Sequence, residues 1–316
     1  MSEEQASAEK ILTEPDYNHE GFIDYNYDNQ TYRLWYGRIG FGNAPPVLVL
    51  HGGPGGNHHN LVAFQALADE RQVIFYDQLG CGKSDRPDNP SLWNAERYFD
   101  EVQTIRDGLG LKKYHLIGHS WGTTLTVGFA AKYPDDILSI SLHSPVLSFP
   151  YYINHVAPQL KQSLNCLNGL AGQIIDDYEL KGQGTKSEYD KACMEFIKRH
   201  VTHTWPLPEA MKRLIAARNP IIHETMVASI SELNVLGNLK TVDVTLQLSK
   251  LNAPVLMTCG DHDLCTPAYT KWQSKFANVP QYYVVQGSAH MSPVDKPQEL
   301  IRIQRAFLKE VEKPVA

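Results

Sequence analysis

Ser120 stands inside Gly118-His119-Ser120-Trp121-Gly122, a G-x-S-x-G pattern. A serine hydroxyl attacks a carbonyl efficiently only when a neighbouring base takes its proton. The five residues alone are a weak signal, but their setting strengthens it. YHLI precedes them as a short apolar run, and TLTVGFAAKY follows with apolar residues at helical spacing. A sharp turn between a buried strand and a helix presents its serine above the end of a sheet. The two glycines remove Cβ atoms where such a turn crowds its neighbours.

A base is expected on a late loop. His290 lies in GSAHM, after the strand-like QYYVV and before the last helical stretch. A carboxylate must hold the imidazole tautomer and stabilise the imidazolium. GDHDLCTP, directly after PVLMTC, offers Asp261 and Asp263, and spacing does not choose between them. A tetrahedral intermediate also needs two preorganised backbone N–H groups. Trp121 supplies one, as the residue after the nucleophile, and the Gly-rich loop after VLVL supplies the other. In that loop, His51-Gly52-Gly53-Pro54-Gly55-Gly56, Gly53 is the expected donor. A phosphate-binding loop is the competing reading. The text has neither G-x-x-x-x-G-K-[ST] nor G-x-G-x-x-G, so it fails on detail.

These residues need a frame. FIDYNYD (22–28) and TYRLWYGRI (31–39) alternate aromatic and polar side chains and read as a hairpin turning at Asn29-Gln30. Further strands are expected at 47–50, 72–76, 114–118, 137–144, 254–259 and 281–285. Helical stretches lie near 58–69, 98–110, 124–133 and 296–312. Residues 1 to about 15 read as a loose tail. Short buried strands alternating with helices imply an α/β fold, with a mostly parallel central sheet and helices on both faces. From about 148 to 245 the strand rhythm stops and the text turns helical and irregular. The expected division is a core over 1–147, a helical insertion over 148–245, and a second core part over 246–316 that completes the triad.

The 316 residues are 42% hydrophobic and 20% charged, with a formal net charge of −6. That composition supports a large core and carries no basic footprint for nucleic acid. The first ten residues, MSEEQASAEK, have no apolar segment of the kind a signal peptide carries. No apolar run reaches the ~20 residues of a membrane helix. Five cysteines, Cys81, Cys166, Cys193, Cys259 and Cys265, match no disulfide or metal spacing. Reduced thiols in a cytoplasmic protein are expected.

With those residues placed, the chain resembles the proline iminopeptidase family of α/β hydrolases. The resemblance rests on HGGPGG (51–56), DQLGCGKSDRP (77–87), PSLWN (90–94), GHSWG (118–122), GDHDLCTP (260–267) and GSAHM (287–291). It implies the α/β-hydrolase fold, with the insertion as a helical cap over the site. The family's G-x-x-D-x-x-x-P pattern falls on Gly260, Asp263 and Pro267, which makes Asp263 the implied triad member. Relatives release an N-terminal residue, often proline, from peptides, amides or arylamides, and read its free amine with acidic cap residues. SELNVLGNLKTVD (231–243) places Glu232 on one such glutamate. MEFIKRH (194–200) suggests Glu195 as another. The implied partner is a small peptide or amino-acid amide, cleaved through an acyl-enzyme with neither metal nor organic cofactor. The chain departs from many relatives at Thr123 and Leu79. An esterase or lactonase using the same triad is the alternative activity. A non-catalytic binding protein is a further one, disfavoured by the intact Ser120, Asp263 and His290 set.

Overall fold

Apolar residues on successive short strands assemble one eight-stranded sheet in the order β1-β2-β4-β3-β5-β6-β7-β8. The computed structural model describes residues 11–164 and 169–313. The strands are β1 (His19–Tyr27), β2 (Gln30–Ile39), β3 (Ala44–Leu50), β4 (Arg71–Tyr76), β5 (Tyr114–His119), β6 (Ile137–His143), β7 (Val255–Gly260) and β8 (Pro280–Val285). From β4 through β8 every neighbouring pair is parallel, while β1, β2 and β4 pair antiparallel. The expected α/β architecture with a mostly parallel sheet is therefore present.

Alternation along β3 sends side chains to both faces. Leu48 and Leu50 join a core with Val102, Leu116 and Leu125. Val47 and Val49 join another with Phe64, Ile117, Leu300 and Phe307. The helices α1 (Ala95–Gly108) and α2 (Trp121–Lys132) pack on the first of these faces. Asn94 starts α1 by accepting the Arg97 N–H.

Between β6 and β7 lie α3 (Ala171–Lys181), α4 (Lys186–Phe196), α5 (Glu209–Ala217) and α6 (Pro220–Met226). A capping box between Thr185 and Glu188 begins α4. The chain on either side of this helical region is tied together. Phe149 donates its N–H to the Val242 carbonyl at 3.0 Å, and Val244 donates to Leu147 at 2.7 Å. After β7 come α7 (Pro267–Ser274) and, beyond β8, the amphipathic α8 (Pro297–Val311).

Two expectations change, and two elements are defined more closely. The hairpin turns at Asp28 and Asn29, both at positive φ (50° and 57°), one residue earlier than the sequence suggested. Such turns match the twist of the strands they join, and Asp-Asn tolerates them. The stretch near 58–69 is a 3-10 helix, His58–Leu67. It is buried on nearly every side, so it lacks the one-sided stripe of a surface α-helix. Residues 11–15 are docked rather than loose. Leu12 is buried with Val62, Ala63, Met211 and Met291. Finally, α7 had no counterpart in the sequence reading, although Thr266 caps it and Pro267 starts it.

Among the described residues, Cys81, Cys193, Cys259 and Cys265 are free and buried. Cys166 lies outside the described residues. No helix among them is long and apolar enough to cross a membrane.

Candidate active site

β5 ends directly beneath Ser120, which opens α2 with φ 55° and ψ −127°. A non-glycine residue at such angles carries backbone strain that its surroundings must hold. They do so on both sides. The Ser120 N–H donates to the His143 carbonyl at 3.1 Å, and the Ser120 carbonyl accepts the Thr123 N–H at 2.8 Å. The Thr123 hydroxyl adds a bond to that same carbonyl at 2.6 Å, a use for the residue that departs from many relatives. Gly122 is required by packing, since a Cβ there would lie 2.1 Å from the Leu50 carbonyl oxygen. Gly52 is required likewise. Its Cβ would meet the Ser120 Cβ at 2.8 Å, which shows how closely the 51–56 loop approaches the serine.

His290 Nδ1 bonds Asp263 Oδ1 at 2.8 Å. Asp263 is 1% exposed and also accepts the N–H groups of Gly260 (3.2 Å) and Cys265 (2.8 Å). Asp261 instead accepts the Ser288 N–H at 3.0 Å and pairs with its neighbour His262. Of the two carboxylates after β7, Asp263 therefore meets the histidine. Burial alone would pull the His290 imidazole below its ordinary value. The Asp263 charge and hydrogen bond, with the charges of Glu232 and Asp295, outweigh it and hold the ring above that value. Among the described residues none hydrogen-bonds the Ser120 hydroxyl. Such contacts commonly tighten only when substrate arrives.

The His290 backbone is fixed by groups that have no motif. Its carbonyl accepts His119 Nε2–H at 2.9 Å and the Ser144 hydroxyl at 2.9 Å. Its N–H donates to the His200 carbonyl at 3.1 Å, which also accepts from Leu264 at 3.2 Å. One carbonyl from the helical region between β6 and β7 thus ties the Asp263 loop to the His290 loop. Burial, with the His290 charge beside it, keeps His119 well below the ordinary histidine value and hence neutral.

Trp121 is the first residue of α2, so its N–H has no intrahelical acceptor. Its indole donates to Gln78 Oε1 at 3.0 Å, and Gln78 Nε2 donates to the His51 carbonyl at 2.8 Å. Gln78 thereby links the turn at Ser120 to the loop bearing Gly53. Below it, Leu79 donates its N–H to the buried Glu101, which pairs with Arg97 at 2.5 Å.

Two cavities meet at Ser120. A compartment of about 30 Å³ is lined by Gly53, Trp121, Phe149, Tyr152 and Glu232 among others. A larger one, about 260 Å³, is lined by His119, His290, Glu232 and mostly apolar side chains. Glu232 has φ 60° and keeps 37% of its side chain open to this space, although neighbouring atoms enclose it. Burial would raise its carboxyl. The His223 hydrogen bond (3.3 Å), with the charges of His223, His290 and Arg218, overrides that and holds it below its ordinary value. An ionised carboxylate therefore faces the serine's surroundings. Glu179, which the sequence did not single out, braces the same turn. It accepts from Ser229, Ser231, Asn234 and Tyr189. Glu195 lines neither cavity, so the structure brings Glu232 to Ser120 and leaves Glu195 apart.

Among the described residues, two groups have metal-ligand donors within 4.8 Å of one another: Asp263-Cys265-His290 and Glu14-His58-His59. In the first, the Asp263 oxygens already serve His290 and two backbone N–H groups, and burial pushes the Cys265 thiol well up into its protonated form. In the second, Arg213 (3.2 Å) and Lys83 (3.8 Å) already neutralise Glu14. Neither donor set favours a cation.

A family profile described as alpha/beta hydrolase fold matches residues 45–297. The chain belongs to this α/β-hydrolase family and is a hydrolase. The proline iminopeptidase of Heyndrickxia coagulans is 36% identical over 299 residues, covering 92% of this chain and 99% of that one. The crystal structure of the proline iminopeptidase of Mycobacterium smegmatis superposes with a TM-score of 0.83 at 28% identity, covering 93% and 98% of the two chains. That of VinJ gives 0.85 at 26% identity, covering 93% and 99%. Within the α/β hydrolases, the chain belongs to the proline iminopeptidase family.

Proposed function

We propose that the protein is a serine aminopeptidase, releasing proline or another small apolar residue from the N-terminus of peptides, amides or arylamides. The observation that carries this reading is the meeting of an ionised Glu232 with Ser120 and the His290–Asp263 pair around one cavity. A protonated amine entering a partly desolvated pocket needs a carboxylate partner. Glu232 supplies it and so sets the scissile carbonyl over Ser120. Ser120 Oγ attacks the carbonyl carbon while His290 Nε2 takes its proton. The N–H groups of Gly53 and Trp121 hold the oxyanion. On collapse, His290 returns the proton to the leaving nitrogen, and the first residue stays esterified to Ser120. Water, activated by the same histidine, then releases it. Asp263 holds the ring tautomer and balances the imidazolium. Relatives named proline iminopeptidase support the choice of substrate class. Buried free thiols suit a reducing compartment such as the cytoplasm.

The test is Ser120→Ala. The variant should keep its melting temperature and lose kcat for a prolyl arylamide by about 10⁴-fold or more. Turnover at the wild-type rate would remove Ser120 from the reaction.

A further inference from the structure

The two cavities at Ser120 differ in which side of the reaction they can serve. In acyl transfer the histidine that accepts the serine proton must next reach the leaving nitrogen. The leaving group therefore lies on the side of His290. His290 lines the larger cavity and is absent from the walls of the smaller one. Trp121 shows the reverse pattern, lining only the smaller compartment. Gly53, Ser120 and Glu232 border both, as groups around the reacting carbonyl and its amine must.

We infer that the large cavity is the leaving-group site, and that it selects substrates whose second residue carries a large apolar side chain. The inference rests on the aminopeptidase reading above. Its walls include Phe196, Trp205, Leu207, Met211, Leu214 and Ile230. They come from the inserted helices and the chain between them, and present hydrocarbon rather than hydrogen-bonding groups. The charged or titratable side chains in that wall are His119, Arg218, His223, Glu232 and His290. His119 bonds the His290 carbonyl, His223 bonds Glu232, and His290 bonds Asp263. Arg218 is the exception, exposed and without a hydrogen-bond partner among the described residues. A polar second side chain would lose water there against mostly apolar walls, with Asn60, Thr202 and Ser231 as its uncharged polar neighbours, whereas an apolar one covers its surface with hydrocarbon. With a volume of about 260 Å³ against about 30 Å³, the leaving side has the greater room for side-chain selection.

The experiment compares prolyl-leucine with prolyl-asparagine, two dipeptides of nearly the same shape, with prolinamide as a third substrate. The wild type should show a kcat/KM for prolyl-leucine about tenfold or more above that for prolyl-asparagine. Ile215 and Ile230 also line the cavity and are 49% and 67% exposed, so Ile215→Asp and Ile230→Asp can fold normally. Each should shrink the leucine-to-asparagine ratio several-fold. Equal kcat/KM for the two dipeptides, or a ratio untouched by both variants, overturns the inference. If prolinamide is still hydrolysed in that case, the aminopeptidase reading stands and only the leaving-group site is wrong. If no free-amine substrate is hydrolysed, the aminopeptidase reading itself falls and takes this inference with it.

Discussion

At Ser120 a positive φ, two flanking glycines and a buried strand combine to present one hydroxyl to two cavities. The histidine that serves it must be neutral to accept a proton. Because Asp263, Glu232 and Asp295 together hold His290 above its ordinary value, activity should be lost on acidification through a value above pH 6.5. The acid limb of kcat/KM against pH, followed with an ester that lacks an amine, measures this. Glu232→Gln removes one of the raising charges, so its acid limb should move to lower pH. A limb at or below 6.5, or one that ignores the substitution, would contradict the account. Ser120, His290, Gly53 and Trp121 were legible because each occupies a motif that backbone geometry imposes. Asp261 and Asp263 were not separable by spacing, because both follow β7 within one loop and only the folded path of that loop decides which meets His290. Glu195 and Glu232 sit in helical text of little pattern. There the resemblance located one cavity carboxylate and misplaced the other.

Elements were legible in proportion to how strongly burial marks them. β5 and β7 are apolar runs enclosed on both faces, and their positions were read to within a residue, whereas β3 starts three residues before the expected 47, in a stretch that is only partly buried. The helical stretch expected near 58–69 is present as the 3-10 helix His58–Leu67, and burial on nearly every side erases the periodicity that would have told it from an α-helix. Most hidden was the part that the helical region between β6 and β7 plays in the site. The His200 carbonyl joins the Asp263 and His290 loops through Leu264 and His290 N–H groups, and a backbone carbonyl leaves no trace in residue type. Glu179 beneath the Glu232 turn was equally silent, since its role depends on α3 lying against residues 229–234.

Across the whole molecule, the segment at residues 11–15 joins the 3-10 helix His58–Leu67 to the helices between β6 and β7. Leu12 packs against Met211 of α5 and against Met291, next to His290. Glu14 contacts His58, His59, Lys83 and Arg213. Burial would lower His58, but Asp77 and Glu14 override it and raise the ring to about 9. Burial would raise Glu14 and Asp77, and the histidine contacts instead hold both well below the usual carboxylate range. A raised histidine stabilises the fold fully below its unfolded value, 6.5, and that contribution is lost as pH rises through about 9. The lowered carboxylates stabilise it above 4.5 and 3.8, and that contribution is lost as pH falls through their folded values. The clamp's own contribution, read as the difference in melting temperature between the wild type and Glu14→Gln, should therefore be largest between about pH 5 and 6.5 and shrink towards pH 9. A difference that does not change with pH over this range would contradict the clamp.

The central claim is that Ser120 acts on residues whose free amine Glu232 holds. Its most direct test is the ratio of kcat/KM for a prolyl arylamide to that for its N-acetylated form. Loss of a charge-assisted bond to a half-buried carboxylate predicts a ratio of about 100 in favour of the free amine. Equal rates for the two would show that the site does not read an amino terminus.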